Sequence, residues 1–506
     1  MSRVAVAASS VIAAEAGARI AREGGNAVDA AIAAGMVSLN TEPGVVSLAG
    51  GGFVTVWEPG GTPRVFDGGL EMPGRGLAAE CVGAGTWEIQ MAYGGGVSTV
   101  IGHGSVATPG ALAVMEASWR EHGKLPWKTL IEPAYEHARD GFPLGLASSS
   151  YLAHSAEPVF AWHGDSRKAL FKDNGLLRET GETIKVPHLD DSLAAIARDG
   201  AKAMYTGEIA RRIVDDMAQH QGLITAGDLA DYQPILRDPL LHQIDDWTIA
   251  TNPPPAIGGA TMCAMLTLMG NRPQDHWSAA EVALAANVQR VVFDYRREKL
   301  DLSDDIHGDA GELLDLCGSR PQTLLSPSTI HVSAVDENGL ACSLTMSAGY
   351  GSGVMPPGTG IWMNNCLGEL ELNRRGLDLG PPGTRLTSNM APAIAHSKQG
   401  SVLAIGSPGA DRITTALMMT LLNLMRLDLT LEDAIEHPRL HVEIIDGEPR
   451  IAAEPGIDVG TCAFPVRHFD ARSMFFGGVG ATLLDIDGQL HAAADSRRTG
   501  GARVTV

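Results

Sequence analysis

The pattern of apolar residues in this 506-residue chain predicts an α+β fold, in which strands and helices alternate along the sequence. Two short runs, 330–336 and 340–346, place apolar side chains at every second position, which is the period of a strand. Longer stretches show the three-to-four-residue apolar spacing of helices. With 44% hydrophobic residues, the chain is long enough to bury a large core.

Several predicted helices carry start signals. Asn26 is a good N-cap for a helix that follows Gly24-Gly25, Thr225 precedes a short helix, and Asp411 is expected to cap the last long one. The segment 308–328 is interpreted as a linker. The predicted helices cover 11–22, 27–38, 111–122, 127–140, 190–198, 208–219, 260–269, 279–299 and 413–425, with further strands at 45–56 and 401–405.

A β-hairpin between the two alternating runs is the clearest local prediction. Asn338-Gly339 separates the runs, and this dipeptide is a strong signal for a two-residue turn. Thr329 then begins the first strand, and Ser347 lies near the end of the returning strand. Antiparallel pairing around a tight turn is expected to bring these two hydroxyls towards each other at one end of a sheet.

A threonine at the start of a strand becomes a nucleophile if a base lies beside its hydroxyl. The α-amine of a chain's first residue is such a base, because its pKa of about 7.7–8.0 lies near operating pH. Thr329 is internal, so this hypothesis requires cleavage of the bond between Ser328 and Thr329. Pro327 favours an extended Ser326, which suits an exposed scissile segment. From the pattern alone, a structural strand threonine explains Thr329 more simply.

Composition and charge exclude several classes of protein. A net charge of −21 argues against nucleic acid and an anionic membrane surface as partners, since both require a basic face. The six cysteines lie apart without a C-x-x-C pair, which indicates neither a zinc site nor a disulfide framework. No apolar run is long enough for a transmembrane helix, and the N-terminus lacks a signal-peptide pattern, so we expect a cytoplasmic protein. No cofactor or metal motif is found, and the motifs of serine hydrolases and metallopeptidases are absent.

The segment 329–336, Thr-Ile-His-Val-Ser-Ala-Val-Asp, resembles the Thr-Thr-His-Tyr-Ser-Val-Val-Asp segment of the γ-glutamyltransferase family. Other segments of that family follow in the family's order over nearly the whole chain. They are matched by residues 24–31, Gly50-Gly51-Gly52-Phe53, Thr108-Pro109-Gly110, Leu125-Pro126-Trp127, residues 138–142, Tyr205-Thr206-Gly207, residues 252–255, Asn364-Asn365, Gly406-Ser407-Pro408-Gly409, Pro438-Arg439 and residues 495–498.

The resemblance implies a four-layer αββα sandwich of the N-terminal nucleophile hydrolase type. It also implies a precursor that cuts itself into a large subunit, 1–328, and a small subunit, 329–506, which stay together. Thr329 would be the nucleophile, first in self-cleavage and then in turnover, with Ser347 supplying a second hydroxyl beside it. Backbone N–H groups of Gly409 and Ala410 would hold the oxyanion. Alanine at this second position is tolerable only if its φ is negative.

The donor site is where the sequence departs from the family pattern. Glu369 occupies the position of an aspartate that binds the donor's amino group, and Ser388 and Asn389 occupy those of two serines that bind its carboxylate. The family's carboxylate-binding arginine is missing near Gly69-Leu70. Arg64 and Arg75 are the nearby arginines that could take its place. Two further substrate-binding positions are taken by Gly349 and Cys366.

Three hypotheses remain open. The first is a self-processing amidohydrolase or acyltransferase that acts on a γ-glutamyl or related small amide, with water or an amine as acceptor; relatives that act on cephalosporin side chains show that the scaffold accepts other acyl groups. The second is a strict hydrolase of a non-glutamyl amide, and the third is an unprocessed relative that binds a ligand without catalysis. A homodimer of the cleaved unit is an option. His331 is interpreted as a structural strand residue.

Overall fold

A computed structural model describes residues 2–92, 96–270, 276–317, 329–370, 372–373, 375–445 and 447–505. Its strands are β1 (Val4–Ala8), β2 (Gly51–Trp57), β3 (Arg64–Gly68), β4 (Trp87–Met91), β5 (Val97–Ile101), β6 (Phe142–Pro143), β7 (Thr183–Ile184), β8 (Ile235–Arg237), β9 (Leu240–Ile244), β10 (Trp247–Thr251), β11 (Ile330–Asp336), β12 (Ala341–Ser347), β13 (Ala393–Ser397), β14 (Val402–Gly406), β15 (Leu440–Ile445), β16 (Glu448–Ala453), β17 (Val466–His468), β18 (Gly480–Leu484), β19 (Leu490–Ala494) and β20 (Gly501–Val504). Its α-helices are α1 (Val11–Arg22), α2 (Ala27–Thr41), α3 (Ala111–His122), α4 (Trp127–Asp140), α5 (Leu146–Ser155), α6 (Gly164–Leu170), α7 (Leu189–Asp199), α8 (Lys202–Tyr205), α9 (Glu208–Gln219), α10 (Ala226–Asp231), α11 (Gly258–Leu268), α12 (Ala279–Glu298), α13 (Ile306–Leu316), α14 (Arg412–Met425) and α15 (Leu431–Glu436).

Two antiparallel sheets form the centre of the molecule. The seven-stranded sheet has the order β20-β1-β11-β12-β2-β3-β8, and the six-stranded sheet has the order β19-β18-β14-β13-β10-β9. The sheets pack face to face, with β11 and β12 against β14. Helices α1, α2 and α3 cover the outer face of the first sheet, and α11 and α14 cover that of the second. This arrangement confirms the predicted four-layer αββα sandwich.

Helix α2 shows why the sequence folds as predicted at its start. The Asn26 side chain accepts a hydrogen bond from the backbone N–H of Asp29, and Asp29 accepts one from the backbone N–H of Asn26. Asp29 also accepts from the backbone N–H groups of Lys124 and Leu125, so it ties this helix to the loop before α4. Burial raises the pKa of Asp29, and these hydrogen bonds oppose that shift.

The hairpin of β11 and β12 lies at the centre of the seven-stranded sheet. Ile330 pairs with Met346 and Val335 with Ala341, which confirms the predicted hairpin. The turn differs from the two-residue turn expected from Asn338-Gly339, because the Asp336 N–H donates to the Leu340 carbonyl and the loop contains three residues, 337–339. His331 lies between the two sheets, where Nδ1 is 2.8 Å from Thr345 Oγ1 and Nε2 is 2.7 Å from Ser333 Oγ. Burial lowers the pKa of His331 to about 3, so the ring is neutral. These contacts fit a structural role for His331.

Two local predictions were wrong in their bounds. The supposed linker 308–328 begins as helix, because Asp305 caps α13 through the backbone N–H of Gly308 at 3.0 Å, and Leu313 is buried in the core. Residues 318–328 lie outside the described part of the chain. The strand predicted at 45–56 begins only at Gly51.

Residues on both sides of Thr329 build the same two sheets. Strands β1 and β2 flank the hairpin of β11 and β12, and β20 pairs with β1 on its other side. In the six-stranded sheet, β9 and β10 precede Thr329 in the chain and the other four strands follow it. Within the described residues, no helix is both long and apolar enough to cross a membrane.

Candidate active site

Thr329 and Ser347 lie at the same end of the central hairpin. Thr329 directly precedes β11, and the register that pairs Ile330 with Met346 sets Thr329 opposite Ser347. Both residues line one pocket, and Thr329 is only 2% exposed. Ser347 Oγ accepts a hydrogen bond from the backbone N–H of Gly349 at 3.2 Å. The predicted approach of the two hydroxyl-bearing residues is therefore present, and Ser328 lies outside the described residues.

Arg498 contacts the main chain of Thr329. Its Nη1 lies 3.5 Å from the Thr329 carbonyl oxygen, and the arginine is buried near the C-terminus of the chain. Residues 495–498 were predicted only as a segment of the family, and this contact was not predicted. A buried arginine needs a partner inside the protein, but neither its burial nor its partner is visible in the sequence.

The turn between β14 and α14 borders the pocket through Ala410. The carbonyls of Gly409 and Ala410 accept hydrogen bonds from the N–H groups of Arg412 and Ile413, so the turn runs directly into the first turn of α14. The expectation that Ala410 has a negative φ was wrong. Its φ is +64°, in the left-handed region, and φ of Gly409 is +124°. The left-handed conformation costs an alanine about 1–2 kcal/mol, so the surrounding packing must hold Ala410 in this conformation.

Asp411 does not cap α14 with its side chain, contrary to the prediction. Its Oδ1 instead lies 2.6 Å from Arg296 Nη1 and accepts a hydrogen bond from Asn389 Nδ2 at 2.7 Å. Arg296 also contacts Asp301, with 3.0 Å between Nε and Oδ1. The side chains of Arg296, Asp301 and Asp411 are almost completely buried, and such charges are tolerated only when paired.

The pocket collects most of the predicted site residues. About 530 Å³ of space free of protein atoms, including the open mouth, lies between the central hairpin, the turn before α14 and the loop after β12. The predicted residues that line it are Thr329, Ser347, Cys366, Glu369, Ser388, Asn389 and Ala410. The other lining residues are Gly69, Asn373 and Thr387 and the apolar Leu70, Leu372, Leu386, Met390 and Ile413.

Among the described residues that line the pocket, Glu369 is the one that carries a carboxylate. It is 3% exposed, and the thiol of Cys366 donates a hydrogen bond to it. Burial and this carboxylate raise the pKa of Cys366 well above the usual thiol value. Gly349 does not line the pocket, but a Cβ at this position would lie 2.9 Å from Oε2 of Glu369. The missing side chain at Gly349 therefore leaves room for glutamate, which is one methylene longer than aspartate.

Asn373 is a pocket residue that was not predicted from the sequence. Its Nδ2 donates hydrogen bonds to the carbonyls of Cys366 and Leu367, and the residue is buried against the pocket. Ser388 Oγ accepts a hydrogen bond from the backbone N–H of Met390 at 3.2 Å. The only sequence signal for Asn373 as a pocket residue was its position four residues after Glu369.

Neither arginine considered for the carboxylate position reaches the pocket. Arg75 pairs with Asp228 at 3.2 Å, and Arg64 lies on the surface 3.3 Å from Glu121. Arg385 is the arginine beside Gly69-Leu70: it donates to the Gly69 carbonyl and, at 2.5 Å, to the hydroxyl of Tyr232. It lies behind the wall of the pocket rather than in its lining. These hydrogen bonds, and one from Nη2 to the Gln233 carbonyl, engage both terminal nitrogens of its guanidinium with the protein's own acceptors.

A metal-compatible group of side chains lies away from this pocket. His103 Nε2 is 3.1 Å from Asp216 Oδ2, and His220 Nδ1 is 3.2 Å from Asp216 Oδ1. The two imidazole rings stack at 4.5 Å with an interplanar angle of 22°. A metal ion binds in the plane of an imidazole, so two nearly parallel rings do not direct their nitrogens at one ion. The cluster is best described as a carboxylate shared by two histidines.

Comparisons with known proteins agree with the family resemblance seen in the sequence. The family model described as gamma-glutamyltranspeptidase matches residues 13–505. The glutathione hydrolase proenzyme of Escherichia coli (strain K12) is 27% identical, with 97% of this chain and 90% of that protein covered. The glutathione hydrolase 5 proenzyme of Mus musculus is 29% identical, with 99% and 92% covered.

Solved structures share the fold as well. The crystal structure of cephalosporin acylase from Bacillus halodurans has a TM-score of 0.79 and 22% identity, and the match covers 99% of this chain and 96% of that one. At this identity the likeness shows the fold alone, whereas the family match extends over nearly the whole sequence. The chain therefore belongs to the gamma-glutamyltranspeptidase family and is an enzyme of its N-terminal nucleophile hydrolase type.

Proposed function

We propose that this protein cleaves itself before Thr329 and then acts as a threonine-dependent amidohydrolase or acyltransferase on a γ-glutamyl or related small amide. One observation carries the proposal. Thr329 and Ser347 end two paired strands in a pocket that Ala410, at the start of α14, also lines. A nucleophile, a second hydroxyl and a turn that ends in a helix N-terminus are thereby placed around one small space.

Self-cleavage would use the same hydroxyl as turnover. Thr329 Oγ1 attacks the carbonyl carbon of Ser328, the C–N bond breaks, and the acyl chain moves to Oγ1 as an ester. Water then hydrolyses the ester, which releases the Ser328 carboxylate and leaves Thr329 with a free α-amine. The neutral fraction of that amine near pH 8 is the base that the threonine needs.

In turnover the α-amine of Thr329 takes the proton from Oγ1 as the oxygen attacks the amide carbonyl. The N–H groups at Gly409-Ala410 stabilise the oxyanion, because the start of α14 concentrates donors and the positive end of a helix dipole there. The leaving amine takes the proton from the α-ammonium, and an acyl ester remains on Thr329. Water restores the enzyme by hydrolysis, or an acceptor amine takes the acyl group. Ser347, opposite Thr329, is suited to orient its hydroxyl.

The interleaved sheets support the proposal that the fragments 1–328 and 329–506 stay together after cleavage. The hairpin that follows Thr329 lies between β1 and β2, which precede it in the chain. Separation of the fragments would break the hydrogen bonds between β1 and β11 and between β12 and β2, and it would expose the core. The 3.5 Å contact of Arg498 with the Thr329 carbonyl would help to hold the new N-terminus in place.

The test is the intact mass of the purified protein beside that of Thr329→Ala. The expected result is two fragments, 1–328 and 329–506, for the wild type and one uncut chain for the variant. The fragment 329–506, quenched in acid during turnover of an amide, should carry the mass of one acyl group on its first residue. A wild-type chain that stays whole after long incubation would refute the proposal and favour ligand binding without catalysis.

A matched control separates the nucleophile from general damage to the hairpin. Ser343 lies on β12 and donates to the Ile405 carbonyl at 3.0 Å, outside the pocket lining. Ser343→Ala should therefore still be cut. Thr329→Ser retains the hydroxyl and should be cut more slowly than the wild type, since its freer rotamer leaves Oγ less well aimed.

A further inference from the structure

Three segments that are far apart in the sequence meet beside Thr329 at one end of the seven-stranded sheet. Strand β1 pairs antiparallel with β11, so Ser9, which follows β1, lies at the end where Thr329 precedes β11. Strand β20 pairs antiparallel with β1 on its other side, so Arg498, shortly before β20, reaches the same end. The topology therefore gathers Ser9, Thr329 and Arg498 at one corner of the sheet.

A buried carboxylate, Glu42, belongs to the same corner. Glu42 directly follows α2 and is 5% exposed. Its Oε1 accepts a hydrogen bond from Ser9 Oγ at 2.6 Å, and Ser9 Oγ lies 3.1 Å from Ser38 Oγ. Burial raises the pKa of Glu42, whereas the two serine hydroxyls and the positive charge of Arg498 oppose that shift. A buried carboxylate is tolerated when hydrogen bonds and a cation stabilise it, and this corner supplies both.

Arg498 connects this carboxylate to the candidate nucleophile. Its Nη1 lies 3.5 Å from the carbonyl oxygen of Thr329, and the arginine is 5% exposed. The nitrogen and the carbonyl oxygen of one residue are at most about 3.6 Å apart, so the guanidinium lies within about 7 Å of the Thr329 nitrogen. In the cleaved chain that nitrogen is the α-amine. A positive charge at this distance in a buried site disfavours the protonated form of an amine.

We propose that Glu42 and Arg498 act as a buried charge pair that positions the mature N-terminus of Thr329 and keeps its α-amine in the neutral form that serves as the base. The inference rests on the proposed function and names the residues that tune its base. Arg498 contacts Thr329 and opposes protonation of the amine. Glu42 holds Arg498 in place and offsets part of its charge, so the amine can still accept the proton of Oγ1 during turnover. Both are positioning residues.

Other titratable and charged groups lie on the elements around Thr329. They come from β11, the loop after β12, the start of α14 and the turn before β20, and they are His331, Cys366, Glu369, Asp411, Arg412 and Arg497. All six are the same in every variant used below. A difference between variants in the pKa of the α-amine therefore reports the altered charge.

The test measures the pKa of the Thr329 α-amine without a substrate. The cleaved protein is treated with cyanate over a range of pH, and carbamylation of the first residue of fragment 329–506 is quantified by mass spectrometry against added threonine amide. Because only the neutral amine reacts, the normalised rate follows its titration. The acid limb of kcat/KM for γ-glutamyl-p-nitroanilide should shift in the same direction as this pKa.

The two members of the pair should shift the pKa in opposite directions. In Arg498→Met the pKa should rise by about one unit, the effect of a unit charge within about 7 Å at an effective dielectric constant of ~20. In Glu42→Gln it should fall by up to about one unit, because the guanidinium is no longer offset. Arg498→Lys keeps the positive charge and should restore most of the wild-type value.

Arg426→Met is the matched control for the loss of a buried arginine. The Arg426 side chain is 5% exposed and lies 2.8 Å from Asp245, and the residue does not line the pocket. This variant should therefore keep the wild-type pKa of the Thr329 α-amine. A shift in Arg426→Met as large as that in Arg498→Met would overturn the assignment to the charge pair.

The remaining outcomes separate this inference from the proposed function. Opposite shifts in Arg498→Met and Glu42→Gln support the charge pair. If Arg498→Met stays uncut, Glu42→Gln and Arg498→Lys decide, and an unchanged or raised pKa in cleaved Glu42→Gln overturns the inference. A cleaved protein whose pKa is the same in all variants leaves the proposed function standing and refutes the charge pair. A wild-type chain that is never cut has no α-amine at Thr329, and the proposed function then fails as well.

Discussion

Removal of the Arg296 guanidinium should be among the most destabilising single changes in this protein. Arg296 lies 3.0 Å from Asp301 and 2.6 Å from Asp411, and all three side chains are at most 2% exposed. The substitution Arg296→Met fills similar volume but removes the guanidinium that lies between the two buried carboxylates. Breaking a buried pair in this way costs ~3–5 kcal/mol, because the remaining charge keeps its desolvation penalty.

The measurement is urea unfolding in a Thr329→Ala background, where a single uncut chain is expected. Arg296→Met should lower the free energy of unfolding by about 4 kcal/mol, read from the shift of the urea midpoint. Lys299→Met, directly after the same helix, is the control, since the side chains of Lys299 and its partner Glu312 are both about half exposed. Its loss should be about 1 kcal/mol or less.

A second variant tests the cause of the loss. Adding Asp301→Asn and Asp411→Asn to Arg296→Met removes the uncompensated charges, and more than half of the lost stability should return. A loss below about 1 kcal/mol in Arg296→Met would refute the claim that this cation compensates the two carboxylates. A triple variant no more stable than the single one would assign the loss to packing.

Three further predictions follow from single residues. Ala410→Gly relieves a left-handed φ of +64° and should keep or slightly raise stability, whereas Ala410→Val should cost more than ~1 kcal/mol by urea unfolding. Because the folded pKa of His331 is lowered to about 3, its unfolded form takes up a proton first as the pH falls. Stability is therefore lost below about pH 6.5, by ~2 kcal/mol at pH 5 and by up to ~5 kcal/mol at lower pH, and His331→Gln should lose less in urea titrations at pH 7.5 and 5. Cys366, whose pKa is raised by burial and by Glu369, should resist iodoacetamide at pH 8 in a mass-spectrometric assay that labels the more exposed Cys81.

Local signals in the sequence were sufficient for much of the fold. The helix starts at Asn26 and Thr225 follow from short-range hydrogen bonds within one turn, and both capping boxes are present. Asn338-Gly339 located the hairpin, although the loop has three residues, 337–339, and it is this length that sets Thr329 opposite Ser347. Such features involve residues a few positions apart, so their energetics are contained in the local sequence.

The donor end of the site depended on partners far away in the chain. Asp411 was expected to cap its own helix, but it pairs with Arg296, 115 positions earlier. The replacement arginine was sought at Arg64 or Arg75, whereas Arg385 lies beside Gly69 and serves the protein's own carbonyl. A side chain that becomes buried must take whichever partner the packing brings to it, and that choice is not visible in spacing.

The sequence by itself determined the family, the order of the elements and the identity of the candidate nucleophile, because these depend on residue types in order and on short-range periodicity. Only the tertiary structure decided the left-handed conformation of Ala410, the room that Gly349 leaves for Glu369, and the orientation of the Asn373 and Asn389 amides. Each of these is set by contacts between segments distant in the chain. Hydrogen bonding in a buried site is settled by which donors and acceptors meet after packing.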